Sequence, residues 1–375
     1  MFVIIKNRYI YLLFCLFYFT THQSQVIQTD SIPKHVKEYN KALTLIDSSK
    51  YEQASKLLKK IIKKNPDFFD AIIKQAFVKI ELKDYDGAEK ELEKATKIKP
   101  LFYETEKLKG INYYLNNKFS KCKVAFDTAL YLAVEDKIDD PEIYYYRARL
   151  MLIGKNYIKA LEACESAIDL RPIYVNVMTL KAEIRFEMKN YNHVIFETSE
   201  AIKNSNEKNI NYLNYKLSAK SKFEIKDFQG AVNDWNVYIR NMGSNEENLI
   251  SRAAAKINVN DYSGAISDLD TAINFNSKNP VSYCYRGVAK GGIKNYSAAL
   301  KDLDFSIKLK FNYSTAYLNR AAIRMALKDK DGACDDLEKA DGLGNEMALR
   351  LVEKYSKRLQ IQERLTKNIA DELYA

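Results

Sequence analysis

Residues that break or bend a polypeptide are scarce here: 375 residues include 12 glycines and 6 prolines. These few fall at turns or at close-packing positions, so no long flexible linker divides the chain. Histidine is scarcer still. Of 3 in the sequence, only His35 and His193 lie beyond the N-terminal segment, and neither stands in H-E-x-x-H or another ligand spacing. No metal site is expected. The 5 cysteines include no C-x-x-C. Cys15 lies in an apolar N-terminal run, while Cys122, Cys164, Cys284 and Cys334 are read as small packing residues, with a disulfide as the alternative in an oxidising compartment. G-x-S-x-G and G-x-x-x-x-G-K-[ST] are both missing. With no catalytic constellation, the chain is expected to be no enzyme and to need no cofactor.

What the sequence does have is a period. An aromatic followed three positions later by a small residue recurs as Tyr51/Ala54, Tyr85/Ala88, Phe119/Cys122, Tyr157/Ala160, Tyr191/Val194, Phe228/Ala231, Tyr262/Ala265 and Tyr296/Ala299, closing on Lys330/Ala333. Successive spacings are 34, 34, 38, 34, 37, 34, 34 and 34 residues. A fixed period of this length marks a stacked array of one supersecondary unit. Nine positions before each member stands a small residue: Ala42, Ala76, Gly110, Ala148, Ala182, Ala219, Ala253, Gly287 and Ala321. Ten positions after it, seven units carry Ala or Ser, with Ile61 and Tyr238 as exceptions. Small residues at matched positions allow close helix approach, and the aromatic wedges between neighbouring pairs. Asp or Asn precedes the series residue in seven units, which is turn and N-cap chemistry. Pro66, Pro100 and Pro172 fall where a second helix should stop. The unit is therefore helix–turn–helix.

Small residues within the first helix, an aromatic–x–x–Ala at the turn and a terminal Pro resemble the tetratricopeptide repeat, over residues 35–347. The resemblance implies an all-α fold, an α-solenoid wound as a right-handed superhelix of nine repeats, closed by a C-terminal capping helix over 348–375. Lys330 departs from the pattern in the last unit and Val194 in the fifth, and insertions fall near 131–140 and 204–211.

Ahead of the repeats, Lys6 and Arg8 precede the apolar run Tyr9–Phe19, followed by a polar stretch to Gln25. A basic flank, a short apolar core and a polar exit describe an export signal over 1–24. An uncleaved anchor is the alternative, and 25–34 read as a linker. Export to a periplasmic, envelope-associated or secreted location is expected either way.

Removing Lys6 and Arg8 leaves 57 basic residues against 49 acids. The densest basic run, Lys56, Lys59, Lys60, Lys63 and Lys64, falls on an outer helix face, and Lys-rich solvated faces are common. Nucleic acid is not an expected partner. Association with a membrane surface or envelope is the secondary expectation. In the last repeats Asp234, Asp268, Asp302 and Asp336 recur at one offset, with Arg252, Arg286 and Arg320 at another. They are expected to form inter-helix ion pairs, worth about 0–1 kcal/mol each if exposed.

The resemblance places function in a concave groove lined by the first helix of each repeat. Mapped onto this chain, its inner positions are Tyr114, Tyr145, Arg149, Glu183, Phe186, Lys216 and Lys220, with Tyr146 and Phe223 as rings that either face the groove or pack between helices. Aromatics with mixed charge fit a scaffold that binds a protein or peptide partner. A glycan- or lipid-binding envelope module using the same rings is the alternative. A subtype of these repeats grips acidic chaperone tails with Lys and, four positions on, Asn. Lys107/Ile111 and Lys216/Lys220 occupy those places, so that clamp is not expected.

Overall fold

The computed structural model describes residues 33–205 and 210–352. The expected signal, most of the linker and residues 353–375 of the capping helix lie outside the described residues. The chain divides into two compact units meeting between Leu132 and Ala133. The first holds α1 (Lys34–Asp47), α2 (Tyr51–Lys64), α3 (Phe69–Glu81), α4 (Tyr85–Ile98), α5 (Tyr103–Leu115) and α6 (Phe119–Glu135), whose last residues pass the boundary. The second holds α7 (Pro141–Ile153), α8 (Tyr157–Leu170), α9 (Val175–Glu187), α10 (Tyr191–Lys203), α11 (Leu213–Glu224) and α12 (Phe228–Met242). It continues through α13 (Glu246–Asn258), α14 (Tyr262–Phe275), α15 (Pro280–Gly292), α16 (Tyr296–Leu309), α17 (Ser314–Ala326) and α18 (Lys330–Gly342). Residues 346–352 are helical again and bury Ala348 against the last pair. Among the described residues there is no strand.

Each periodic aromatic, and Lys330 in its place, is the first residue of the second helix of a pair. The residue before it caps that helix: Asp84, Asn156, Asp227, Asp261, Asn295 and Asp329 each accept a hydrogen bond from the backbone N–H three residues on. Asn190 makes no such bond and instead meets His193 Nδ1 at 2.8 Å. All four Asp caps face a glycine, Gly87, Gly230, Gly264 and Gly332, where an added Cβ would lie within about 2.5 Å of the carboxylate. One residue earlier the backbone turns left-handed in every repeat, at Ser49, Lys83, Asn117, Lys155, Lys189, Lys226, Asn260, Lys294 and Lys328. A left-handed residue ends the first helix and a polar cap starts the second, which is how three residues reverse the chain.

Packing repeats with the same frame. The small first-helix residue lies against the position seven after the series residue, which is buried in every repeat: Leu58, Leu92, Phe126, Cys164, Thr198, Trp235, Leu269, Leu303 and Leu337. A Cβ on Gly110 would come within 2.6 Å of the Phe126 ring, so the bulkier partner requires glycine opposite. Consecutive helices pack pairwise within each unit, and in the second unit first helices also touch first helices: α7 with α9, α9 with α11, α13 with α15, and α15 with α17. Cys122, Cys164 and Cys284 are buried free thiols, and burial pushes them up to about 12, 12 and 11.

The Arg–Asp pairs form, but they are not exposed. Arg252, Arg286 and Arg320 each grip the carboxylate of their own second helix with two nitrogens, at 2.6–2.9 Å, on Asp268, Asp302 and Asp336. These three aspartates are nearly fully buried. Lys256, Lys290 and Arg324 add a second cation to the same carboxylates. Arg286 and Arg320 also reach back to Asp270 and Asp304 of the preceding repeat, and Arg252 to Asn236. The exposed-pair value is therefore corrected. A desolvated, doubly paired carboxylate contributes little net stability against an apolar replacement, yet losing one partner costs about 3–5 kcal/mol. Lys79–Glu91, Lys181–Glu197 and Lys222–Asp234 use the same acid position earlier in the chain.

Candidate functional site

In the second unit, the residues five and eight positions before each series member lie one turn apart on the first helix, and six of them, from α7, α9, α11 and α13, line cavities. The fifth-before positions carry Leu152, Phe186, Phe223, Ile257, Gly291 and Met325. The eighth-before positions carry Arg149, Glu183, Lys220, Ala254, Val288 and Ala322. At these two positions, charge stands on α7, α9 and α11. Two cavities open on this stretch. The larger, about 340 Å³, is lined by Phe186, Lys220, Phe223, Trp235, Ile250 and Tyr285 among others. The smaller, about 230 Å³, is lined by Leu152, Tyr157, Glu183, Glu187, Leu217 and again Phe186.

The larger cavity has a local cause. α11 and α13 approach less closely than the other first helices of the second unit. Position ten of the second helix, buried as Ala, Ser or Ile in the other eight repeats, is the partly exposed Tyr238 on α12. Its ring lies 5.9 Å from that of buried Trp235. Trp235 lines the cavity with Phe223 and Ile250, while Tyr238 packs on the Trp235 ring and does not line it.

Electrostatics divides the groove into two kinds of acid. Arg149 Nη1 donates to Glu183 Oε2 at 2.9 Å. Burial nevertheless holds the Glu183 carboxyl above the usual glutamate range, and Arg149 offsets this only in part. Lys220 Nζ donates to Glu247 Oε1 at 2.9 Å, and Lys216 Nζ lies 3.5 Å from the same oxygen. That hydrogen bond holds Glu247 below its usual range.

Of the residues expected from sequence, the structure brings Arg149, Glu183, Phe186, Lys216 and Lys220 onto three successive first helices. Phe186 joins both cavities while packing edge-on to Tyr191 at 5.8 Å. Tyr145 on α7 packs against Tyr146 and Tyr174, at 5.2 and 6.0 Å, and joins the core around Ala148. Phe223 does both: it packs on Phe228 at 5.2 Å and lines the larger cavity. Tyr114 belongs to the first unit, on α5, with its ring 6.4 Å from Phe119. Sequence reasoning passed over Glu247, Trp235, Ile250 and Tyr285. The tyrosine exception at position 238 marked an irregular site beside Trp235, which lines the cavity. Glu247 had no such marker, because only the fold sets it opposite two lysines. Among the described residues no three His, Cys, Asp or Glu side chains gather as a metal site, and no helix is long and apolar enough to cross a membrane.

Helix pairs in a 34-residue frame, with small residues at the interfaces and aromatics at the turn, build the fold of a tetratricopeptide-repeat α-solenoid. The tetratricopeptide-repeat family model matches residues 45–102. Solved structures similar to the chain include the type IV pilus biogenesis factor PilW, at 14% identity and TM-score 0.51, covering 56% of this chain and 95% of PilW. PilF of Pseudomonas aeruginosa matches at 15% identity and TM-score 0.48, over 55% of this chain and 90% of its own. Yeast Tom70 matches at 15% identity and TM-score 0.38, over 88% and 89%. At these identities the likeness is one of fold. No curated protein matches the sequence. The fold is that of a scaffold for protein–protein interaction.

Proposed function

We infer that the chain is an exported, non-enzymatic scaffold that takes a protein or peptide segment in the groove of α7–α13. The observation that carries this is the pair of adjoining apolar cavities that share Phe186 and are edged by paired charges. Rings supply buried contact area, while Lys216, Lys220 and Arg149 select acidic groups on the bound segment. Before capture these cations are held by Glu247 and Glu183. A partner carboxylate therefore competes with an internal one, which favours selectivity over raw affinity.

The test is a peptide-display selection on the full chain, repeated on Phe186→Ala/Phe223→Ala and on Lys216→Glu/Lys220→Glu. A sequence family enriched on the wild type should lose at least about 2 kcal/mol of affinity with the ring changes. Peptides recovered equally well by all three proteins would sink this groove. No enriched peptide, with polysaccharide or lipid bound in a parallel array by the wild type and not by the ring variant, would transfer the rings to an envelope-ligand role.

A further inference from the structure

The positive charge of this chain is unevenly spread. Residues 34–64, the helix pair α1–α2, hold nine lysines against Glu38, Asp47 and Glu52, a net +6 out of +10 for all 375 residues. On α2, Lys56, Lys59, Lys60, Lys63 and Lys64 recur at helical spacing, opposite the buried Ala54, Leu58 and Ile61. All five lysines are exposed. Lys34, Lys37, Lys41 and Lys50 are exposed on the same helix pair.

What sets these lysines apart is the lack of neutralisation. On the next pairs of the same unit lysines meet acids: Lys118 and Lys121 clasp Glu89 at 2.7 and 3.0 Å, Lys79 and Lys94 clasp Glu91 at 2.8 and 3.0 Å, and Lys109 meets Glu106 at 2.7 Å. On α2 the pairing among described residues is Lys60 with Glu38, at 3.6 Å. Among Lys56, Lys59, Lys60, Lys63 and Lys64, neighbours along the helix face stand three or four residues apart (Lys56/Lys59, Lys56/Lys60, Lys59/Lys63, Lys60/Lys63 and Lys60/Lys64), where like charges repel along a helix. The fold carries that repulsion on a face that its own acids do not cover.

We propose that the lysine face of α1–α2 is a docking surface for an anionic phospholipid membrane. Charge complementarity is the first argument: flexible point charges without fixed hydrogen-bond geometry suit a diffuse negative surface, and each lysine near such a surface strengthens association about fivefold. The second argument is chemical. No arginine occurs between Arg8 and Arg147, so the face lacks the planar forks that grip nucleic-acid phosphates and bases. It also lacks rings among its lysines: Tyr51 packs toward Phe77 at 6.5 Å, and Tyr39 toward Phe68 at 5.1 Å. Stacking on single-stranded bases requires such rings. The surface shares no residue with the groove of α7–α13.

The experiment is vesicle co-sedimentation of the full chain. One set of vesicles is phosphatidylcholine alone, and in the other roughly a third of the lipid is phosphatidylglycerol, a fraction that gives the surface a negative potential. The wild type should prefer the anionic vesicles, and the preference should fade as salt rises from about 0.1 M to 1 M and the screening length falls from about 10 to 3 Å. Lys56→Gln/Lys59→Gln/Lys63→Gln/Lys64→Gln should weaken anionic binding on the order of several hundred-fold if the contributions add. The corresponding arginine variant should retain it. Removing four exposed lysines of the second unit, Lys294, Lys328, Lys330 and Lys339, should change binding far less. Equal binding to both vesicle types, or an unchanged glutamine variant, overturns the proposal. Tighter binding to a DNA duplex than to anionic vesicles at equal salt, lost in the glutamine variant, overturns it in favour of a nucleic-acid face.

Discussion

The repeats of α7–α11 and those of α13–α18 share one frame and differ in where they place charge. In α13–α18 the charged residues at the pair interfaces are buried, as doubly paired carboxylates that tie each repeat to its own second helix and, through Arg286 and Arg320, to the repeat before. Their eighth-before positions are Ala254, Val288 and Ala322. In α7–α11 the same inner positions carry Arg149, Glu183 and Lys220, and the second helix of the α7–α8 pair buries Ala163 where the later repeats bury Asp. The lesson is that one repeat frame ties its helices together with charge at positions that face a partner helix and leaves charge beside the cavities at the eighth-before positions. The same residue types cost and contribute differently at the two places, because burial sets the dielectric.

The comparison is broken most directly by removing one acid of each kind. Asp302→Ala should lose about 3–5 kcal/mol, since it strands Arg286 and Lys290 in a desolvated site, whereas Glu183→Ala should cost about 1 kcal/mol, its side chain being 22% exposed. Urea denaturation of the full chain measures both, and amide exchange should place the Asp302 effect in α15–α18. Equal losses would show that the two kinds of charge are energetically alike.

A smaller effect sharpens the origin of the cavity. Tyr238→Ala restores the small residue used by most other repeats, so α13 should settle toward α11. Affinity for a selected peptide should fall about tenfold while stability changes by less than about 1 kcal/mol. A crystal structure of the variant with an unchanged cavity would show that Tyr238 does not set its size.

The two groove acids should titrate in opposite senses. Folding raises the Glu183 pKa, so its contribution to stability is present below the usual glutamate pKa and is lost as pH rises through the folded value. Folding lowers that of Glu247, so its contribution is present above the usual pKa and is lost as pH falls through the lowered value. Thermal melts from about pH 2.5 to pH 7, spanning both sides of the glutamate range, should show wild type losing stability relative to Glu183→Gln as pH rises, and gaining it relative to Glu247→Gln. A common direction for both would discard the burial argument.

The least effect belongs to the turns, which both groups of repeats share. Lys294 holds a φ of 63° in the left-handed region. Lys294→Gly should stabilise by about 0.5–1 kcal/mol, and Asn260→Gly by less, because asparagine tolerates this conformation. Urea midpoints of the two variants provide the check.

The repeat frame was legible because each of its positions answers a local demand: the cap residue before Tyr262, the small residue at Ala253, the aromatic itself. The Arg–Asp pairing was legible from its offsets, but its burial was not, since sequence spacing does not say how much water a partner helix removes. The frame also let candidate inner positions be enumerated, without saying which of them border open space. That Phe186 and Phe223 line open space while Tyr145 packs into the core depended on how closely particular helices approach.

By itself, then, the sequence determined the helix pairs, their caps, their left-handed turns and the small-residue interfaces, since these are set by neighbours within one repeat. Only the tertiary structure decided that Trp235 and Phe223 border a cavity, that Glu247 faces Lys216 and Lys220, and that Asp268, Asp302 and Asp336 lose their water. Those outcomes depend on the distance between residues of different repeats, and distance across a packed interface is set by the summed volumes of all the side chains that fill it.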